Sequence, residues 1–327
     1  MHSGVLAALR HPRPLDLLAL RAARKTVSVR GMNKSAPFRP RRSFLFVPGS
    51  GPELFPKAIK AAPDIVCIDL EDAIAPPHKA SARRGTLDLL AERPPCGDSE
   101  VLIRINAIGS RDGMADLLAI LDSPVPPPGL MLPKVKSPDE IRLLDELLSS
   151  EDSAMRLQVI IETNEGLEAC AEIARASARI DALLFGAIDM SAELRVEPTW
   201  NALLYARSRL VHAAASAGID LIDVPFLDLQ DMGGLEREAA LAAELGMTGK
   251  GAIHPSQLPV IQQSFTPSAA AIARAREIVQ AFEQASTGLV VVGGKLIEKP
   301  VLRSMYRILA IADRLGAGAD SPVQRDS

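Results

Sequence analysis

Two carboxylates in the middle of the chain follow short apolar runs and are of the type that binds a hard cation. Glu162 ends the run 157–162 (LQVIIE), and Asp189 comes three residues after the run 181–186 (DALLFG). If the two runs are neighbouring parallel strands, their carboxyl ends meet at one edge of the sheet. Two carboxylates with waters and substrate oxygens suit Mg²⁺, which seldom uses an all-protein cage. The spacing leaves open the alternative of ordinary loop carboxylates, one of them capping a helix at Asn164.

A second concentration of charge lies at 69–72 (DLED), directly after another apolar run. The following run, 101–106 (VLIRIN), carries Arg104 between isoleucines, and a guanidinium among apolar neighbours has to be paired. Glu71 on the adjacent strand is the expected partner, which leaves other donors of Arg104 for a carboxylate or enolate oxygen. Asp69, on the same side of its strand as Glu71, is expected to reach metal-bound waters. A purely structural ion pair is the alternative.

Two further polar residues at run ends favour less specific roles. His254 stands before Pro255 and could act as a base, a ligand or a helix-start residue; we expect a structural or substrate-lining role. Ser50 follows the first run but lacks the GxSxG turn of a nucleophilic serine, so hydrolysis through an acyl-enzyme is poorly supported.

The elements that must position these residues are eight short apolar runs separated by segments with helical spacing. The runs are residues 43–47, 64–70, 101–106, 129–133, 157–162, 181–186, 219–224 and 248–253. Continuous apolar strands with intervening helices, such as those predicted at 137–149 and 199–217, indicate a parallel sheet. Eight units predict an α/β fold of the (β/α)8 TIM-barrel type, with the site at the carboxyl ends of its strands. An open doubly wound sheet is the alternative, but no GxGxxG opens a helix after the first strand.

The two ends of the chain do not follow the barrel pattern. Residues 1–40 form a basic arm, expected to be disordered or to result from an early start codon, with Met32 as the alternative start. The alternatives for this arm are a transit peptide and a segment that binds nucleic acid. The barrel is predicted to span 41–286. Residues 287–327 are predicted to form a C-terminal extension, a short hairpin and a helix that serve as a lid.

Composition excludes several classes of function. The 327 residues carry a formal net charge of −3, although residues 1–42 hold ten of the 37 basic residues and one of the 40 acidic ones. Only 3% are aromatic, so base stacking has little to work with and no nucleic-acid partner is expected. No apolar run approaches the ~20 residues of a membrane span. Three cysteines without CxxC spacing predict a reducing, cytoplasmic location and no zinc site.

Taken together, the motifs resemble the citrate lyase β-subunit-like group of the HpcH/HpaI aldolase superfamily. The matching stretches are residues 42–49 (RSFLFVPG), 69–72 (DLED) with Lys79, 103–106 (IRIN), 161–163 (IET) with Gly166, 185–186 (FG) with Asp189, and 249–255 (GKGAIHP). They occur in the expected order over about 41–260, and the fold that the resemblance implies is again a TIM barrel.

The resemblance implies a role for each matching position. Glu162 and Asp189 correspond to Mg²⁺ ligands and Arg104 to a substrate contact, with Glu162 and His254 also facing substrate. Lys79 and Arg42 match positions associated with the CoA moiety. The family lid, which acts in trans in a homotrimer or homohexamer, carries an acid/base carboxylate in a Gly-x-Met-Ile-Asp pattern. Here residues 294–298 (GKLIE) place Glu298 there, one methylene longer than the family Asp.

The reaction implied by the resemblance is cleavage of a carbon–carbon bond in a 3-hydroxyacyl-CoA thioester. Citramalyl-CoA, which yields acetyl-CoA and pyruvate, is the expected substrate, and malyl-CoA, which yields glyoxylate, is second. A malyl- or citramalyl-CoA thioesterase and the β subunit of a multi-subunit citrate lyase are the alternative enzymes. A binding protein without catalysis is the outcome if the Asp-to-Glu change disables the lid.

Overall fold

The described part of the chain is built around a closed barrel of eight parallel strands in chain order. The computed structural model describes residues 39–285 and 288–316, so residues 1–38 of the predicted arm and the predicted boundary at 286 lie outside the described residues. The strands are β1 Ser43–Pro48, β2 Ile65–Asp69, β3 Glu100–Arg104, β4 Gly129–Leu132, β5 Arg156–Ile161, β6 Ile180–Phe185, β7 Asp220–Asp223 and β8 Gly249–Ala252. Because β1 pairs with both β2 and β8, the predicted (β/α)8 barrel is confirmed and the open sheet is excluded.

Helices fill the connections between strands and surround the barrel. They are α1 Phe55–Lys60, α2 Lys79–Ala91, α3 Arg111–Leu121, α4 Pro138–Ser150, α5 Asn164–Glu168, α6 Cys170–Ile173, α7 Ala187–Leu194, α8 Leu204–Ala217, α9 Met232–Leu245 and α10 Leu258–Phe265. Helix α4 begins with the capping box of Ser137 and Glu140, which satisfies free N–H groups of its first turn. Within 39–285 and 288–316, no helix has the length and apolarity needed to cross a bilayer.

The helix predicted over 199–217 is five residues shorter than expected. Helix α8 begins only at Leu204, and the residues before it form turns. These turns bring the Trp200 ring to within 4.5 Å of the Arg207 guanidinium. A cation–π contact of this kind stabilises a buried arginine.

Alternation along the strands divides the core into two layers. One set of side chains fills the barrel interior and includes Phe44, Cys67, Leu102 and Ile160, all at most 1% exposed. The other set faces the surrounding helices. Each large apolar side chain buried in this way contributes about 1.5–3 kcal/mol. Because the interior is filled with side chains, any site has to lie at an end of the barrel.

The C-terminal extension has a small apolar core of its own. Helix α11 Ala269–Gln284 is followed by the antiparallel hairpin of β9 Leu289–Val292 and β10 Lys295–Glu298, and then by α12 Val301–Arg314. Gly293 and Gly294 have φ values of 57° and 74°, the left-handed pair that a two-residue hairpin turn requires. Ile278 of α11 packs with Val292 and Ile297 on the inner face of the hairpin. The predicted hairpin and final helix are therefore present.

The amino ends of the strands are closed by an ionic cluster. Arg41 lies between Glu100 (2.8 Å), Asp181 (3.1 Å) and Asp220 (3.2 Å), which are the first or second residues of three different strands. Arg307 on α12 also contacts Asp220, at 3.0 Å. This contact attaches α12 to the base of the barrel, the end opposite to the predicted site.

Candidate active site

A cavity of about 380 Å³ opens at the carboxyl end of the barrel. Its lining includes four of the residues singled out from the sequence, Asp69, Arg104, Glu162 and Asp189, which come from four different strand ends. They meet because parallel strands of one barrel all end at the same rim. The rest of the lining is largely apolar.

Glu162 is a buried carboxylate of this cavity, with 3% of its surface exposed. One oxygen, Oε1, accepts a hydrogen bond from the backbone N–H of Lys134 at 2.8 Å. Burial, together with the neighbouring carboxylates Glu71 and Asp189, raises the pKa of Glu162 to about 8. A cation held between Glu162 and Asp189 would offset both the cost of burying the charged Glu162 carboxylate and its repulsion by the neighbouring carboxylates.

The donor set is suited to a metal ion that brings its own ligands. The described residues hold no group of three or more His, Cys, Asp or Glu side chains around one point. Two carboxylates beside an open cavity are what Mg²⁺ uses when waters and substrate oxygens complete its octahedron. Zn²⁺, which normally takes three or four His, Cys or carboxylate ligands, fits less well.

Gly186 gives Glu162 the room that it needs. A Cβ at Gly186 would lie 2.4 Å from Glu162 Cβ, 2.5 Å from its Oε2 and 3.0 Å from Ile160 Cγ2. Such distances force a shift of the strand tip, so a side chain at this position displaces the carboxylate.

We expect Gly186→Ala to weaken Mg²⁺ binding by about 10- to 100-fold, the range found when the support of a metal ligand is lost. Isothermal titration calorimetry with MgCl₂ measures it. Gly85→Ala is the matched control, because Gly85 lies in α2 and an added Cβ there meets nothing within 4 Å. Equal Mg²⁺ affinity in both variants would contradict the placement of Glu162 as a ligand.

Arg104 is held by two carboxylates. Asp69 accepts from Nε at 2.7 Å and from Nη2 at 2.5 Å, a bidentate pair, and Glu71 Oε2 lies 3.0 Å from Nη1. The Phe46 ring lies under the guanidinium at 5.0 Å. The predicted contact with Glu71 is present, but Asp69 is the principal partner.

Asp69 holds both Arg104 and the strand tip. Besides Arg104, its oxygens accept from the backbone N–H of Glu71 at 2.8 Å and of Ala73 at 3.1 Å. Both oxygens are therefore engaged with protein donors, although Asp69 also lines the cavity. The expected contact of Asp69 with metal-bound waters stays a prediction.

Lys134 is a site residue to which the sequence reasoning gave no role. It follows β4 with φ 54°, a left-handed conformation that costs a non-glycine residue about 1–2 kcal/mol. Its Nζ lies 2.5 Å from Glu71 Oε1 and 3.3 Å from Asp72 Oδ1. The signal was available, because Lys134 directly follows the fourth apolar run.

Comparison with known proteins now decides the family. A family model described as HpcH/HpaI aldolase/citrate lyase matches residues 42–255. The chain belongs to this family. The resemblance carried by the motifs is thereby confirmed.

Relatives of known name cover most of the chain. Mitochondrial citramalyl-CoA lyase of Rattus norvegicus is 33% identical over 292 residues, which are 84% of this chain and 86% of the relative. L-malyl-CoA/beta-methylmalyl-CoA lyase of Rhodobacter capsulatus is 33% identical over 310 residues, which are 85% and 96%. The structure of CitE from Mycobacterium tuberculosis in complex with magnesium, acetoacetate and coenzyme A is 31% identical, with a TM-score of 0.69 over 84% of this chain and 98% of that one.

Lys79 and Arg42, for which the family resemblance implies contacts with CoA, do not point into the cavity. The three donors of Lys79 are used by Leu70 O (2.9 Å), Glu71 O (2.6 Å) and Asn106 Oδ1 (2.6 Å). Lys79 thus fastens the acidic strand tip. Arg42 precedes β1 at the base of the barrel and binds Asp64 at 2.8 Å.

The expected CoA contacts of Lys79 and Arg42 are therefore not supported. Lys79 has no donor left, and Arg42 is separated from the cavity by the whole length of a strand.

The last two predicted residues also lie outside the cavity lining. His254 Nδ1 accepts from the N–H of Ser256 at 3.1 Å, at the start of a short 3-10 turn, and its neighbour Ile253 lines the cavity instead. This favours the structural role for His254. Glu298 is exposed at the end of β10 and contributes nothing to the cavity of its own chain.

Proposed function

We propose that the protein is a Mg²⁺-dependent lyase that cleaves citramalyl-CoA to acetyl-CoA and pyruvate. The observation that carries the proposal is the convergence of Glu162, Asp189 and the clamped Arg104 on one cavity. Aldolases and citrate lyases make or break carbon–carbon bonds, and the named relatives are CoA-ester lyases. Family membership thus makes the chain a carbon–carbon lyase of CoA esters.

Glu162 and Asp189 are the residues that would hold the metal. Two CitE structures of Mycobacterium tuberculosis are complexes with magnesium, one also with acetoacetate and coenzyme A and one with oxaloacetate. When bound, Mg²⁺ polarises the hydroxyl and carboxylate of the 2-hydroxy acid end and favours the oxo group that replaces the hydroxyl.

Arg104 is placed to stabilise the charge that develops in the thioester half. Of its five N–H donors, Asp69 takes two and Glu71 faces a third, which leaves two for substrate. When the carbon–carbon bond breaks, the hydroxyl becomes an oxo group and its proton passes to solvent. The electron pair of the broken bond goes to the acetyl carbon, and negative charge spreads to the thioester oxygen. A guanidinium fixed in advance stabilises that charge without reorganisation.

The apolar wall of the cavity supports the choice of citramalyl-CoA. Phe46, Ile160 and Leu184 line it, and Arg104 is the only cation among the described lining residues. The methyl group of a citramalyl unit finds apolar contacts there. A citryl unit brings a further carboxylate with no second cation in the lining to receive it. Malyl-CoA lacks the methyl group, a difference worth about 1–3 kcal/mol in an apolar pocket.

The proton that returns to the acetyl carbon is assigned to Glu298 of a neighbouring subunit. Glu298 shares the outer face of the hairpin with Val291 and Leu296, which are 68% and 62% exposed. Helix α12 is fastened to the base of its own barrel, so the hairpin is available to a second copy. This assignment requires an oligomer with the lid in trans, and the family resemblance favours a homotrimer or homohexamer.

We expect a mixture of Glu162→Gln and Glu298→Gln proteins to regain activity that each lacks alone. If the lid acts in trans, subunit exchange creates sites with one intact barrel and one intact partner lid, about one in four at equal mixing. Turnover is measured before and after exchange under mild dissociating conditions. Unmixed variants treated in the same way are the control, and no recovery after proven exchange would contradict the trans lid.

A product assay tests the reaction itself. Purified protein is given (S)- and (R)-citramalyl-CoA and malyl-CoA, with and without Mg²⁺, and oxo acid and free CoA are quantified. We expect pyruvate and acetyl-CoA in equal amounts, only with Mg²⁺, and a higher kcat/KM for one citramalyl-CoA isomer than for malyl-CoA. Free citramalate or malate with CoA and no oxo acid would instead identify a thioesterase. Activity confined to citryl-carrier thioesters would identify a citrate lyase β subunit.

A further inference from the structure

Lys134 contacts two parts of the site. Its backbone N–H donates to Glu162 Oε1 at 2.8 Å, and its Nζ contacts Glu71 Oε1 at 2.5 Å. Glu162 is the buried carboxylate assigned to the metal, and Glu71 is the second carboxylate on Arg104. Lys134 thus contacts Glu162 through its backbone and Glu71, a partner of Arg104, through its side chain.

The backbone conformation of Lys134 serves the first of these contacts. Its φ of 54° turns the chain at the tip of β4 so that the amide points at the neighbouring strand end. A non-glycine residue keeps a left-handed conformation only where its surroundings over-determine it. Here the two hydrogen bonds, one from the amide and one from the ammonium, do so.

The ammonium controls which oxygen of Glu71 faces Arg104. Glu71 is 4% exposed, and with Oε1 taken by Lys134 its Oε2 lies 3.0 Å from Arg104 Nη1. Oε2 makes no aligned hydrogen bond of its own. Without Lys134, Glu71 is free to turn both oxygens onto Arg104 and to occupy the donors left for substrate.

The charges at the strand tips favour this competition of Glu71 with substrate for the donors of Arg104. Five carboxylates, those of Asp69, Glu71, Asp72, Glu162 and Asp189, surround two cations, Arg104 and Lys134. Loss of the Lys134 ammonium removes the ion-pair partner of Asp72 and leaves Arg104 as the described cation in ion-pair contact with Asp69 and Glu71. Opposite charges a few ångströms apart in a partly buried site interact strongly.

We propose that Lys134 is a positioning residue of this lyase, which holds Glu71 in the orientation that keeps donors of Arg104 open to substrate. The proposal rests on the lyase function proposed above. Lys134 then has two separable roles. Its ammonium acts on Arg104 through Glu71, and its backbone amide holds Glu162.

The test is Lys134→Met, which removes the ammonium and keeps the amide. We expect kcat to fall about 10- to 100-fold, as for residues that orient groups contacting the reacting atoms. Mg²⁺ affinity, measured by calorimetry with MgCl₂ alone, should stay within about threefold because the bond to Glu162 remains. Lys134→Arg, which restores a cation, should recover part of the lost kcat.

Two controls separate this role from simple destabilisation. Lys136→Met is the matched variant, because Lys136 lies two residues on, its side chain is 54% exposed, and its ammonium pairs with the exposed Glu165 at 3.4 Å; it should behave as wild type. Lys134→Gly also keeps the amide and accepts the left-handed conformation without strain. If Lys134→Met folds poorly, Lys134→Gly still tests the role of the ammonium. We expect the same loss of kcat in Lys134→Gly.

A double-mutant cycle with Glu71→Gln examines whether Lys134 acts through Glu71. The double variant should be no slower than Lys134→Met, because residues in one network are not additive. Fully additive losses, wild-type kcat in both Lys134→Met and Lys134→Gly, or a loss of Mg²⁺ affinity large enough to explain the kinetics would each overturn the proposal.

A crystal structure of Lys134→Met tests the inference without any turnover. Glu71 should have turned toward Arg104, with both oxygens on the guanidinium. An unchanged Glu71 would overturn the positioning role even if the enzyme is active. Absence of turnover in wild-type protein on every thioester would overturn the proposed function instead, and the two failures are thereby distinguished.

Discussion

Replacement of Arg104 by Gln should lower kcat by about 10²- to 10³-fold while Mg²⁺ binding is preserved. The expected loss is that of a fixed donor aimed at developing negative charge. Within the described part of the chain, the Arg104 side chain is hydrogen-bonded or ion-paired to Asp69 and Glu71 and not to Glu162 or Asp189. Steady-state kinetics with citramalyl-CoA and calorimetry with MgCl₂ measure the two properties separately.

Removal of a buried arginine also destabilises the fold, and a second arginine of this chain provides the comparison. Arg83 on α2 has the same side-chain exposure as Arg104, 14%, and is likewise paired with a nearly buried aspartate, Asp116 at 2.6 Å. It lies outside the cavity lining. Arg83→Gln should therefore lose comparable thermal stability and keep its turnover at permissive temperature. Similar kcat values for the two variants would show that Arg104 serves only the fold.

Replacement of Glu162 by Gln should abolish Mg²⁺ binding and activity together. The metal is expected to supply several kcal/mol of transition-state stabilisation, so we expect kcat/KM to fall at least about 10³-fold, or roughly 4 kcal/mol. The amide oxygen can still accept from Lys134 N–H, but it lacks the charge that holds a cation. Calorimetry with MgCl₂ and the pyruvate assay with and without EDTA are the measurements.

The stability of Glu162→Gln should move in the opposite direction from its activity. In the metal-free protein, Glu162 is buried beside Glu71 and Asp189, and its pKa of about 8 reflects that crowding. A neutral amide removes the repulsion, so the melting temperature without metal should be equal to or above that of wild type, and MgCl₂ should no longer raise it.

Glu165→Gln is the matched control for this experiment. Glu165 lies three residues further on, is exposed, and contacts Lys136 at 3.4 Å. It should bind Mg²⁺ and turn over as wild type. A Glu162→Gln enzyme that remains active, or a wild-type enzyme insensitive to EDTA, would place the metal elsewhere or remove it from the reaction.

Several features of the site followed from residue order alone. Eight apolar runs alternating with helical segments indicated the barrel, and the direction of parallel strands brought Glu162, Asp189 and Arg104 to one rim. The same rule applies to Arg42, which precedes β1 and so lies at the base. For Arg42 the family resemblance predicted a contact with CoA, whereas the direction of β1 places this residue at the end of the barrel opposite to the cavity.

Other features depended on contacts across strands. Periodicity showed that Asp69 and Glu71 share one side of β2, but only the packed barrel decided that Asp69 takes two donors of Arg104. The commitment of Lys79 to three acceptors was likewise invisible in a motif, because the motif records the residue and not the distances around its ammonium.

The sequence by itself determined the fold, the rim on which the chemistry lies and the types of residue present there. Hydrophobic period and strand order are local properties, and a parallel barrel converts them into a single arrangement. The tertiary structure alone decided how charges of both signs share one cavity, and in particular that Lys134 turns left-handed to reach both Glu162 and Glu71. Such choices depend on differences of an ångström between atoms far apart in the chain, which no spacing along the sequence records.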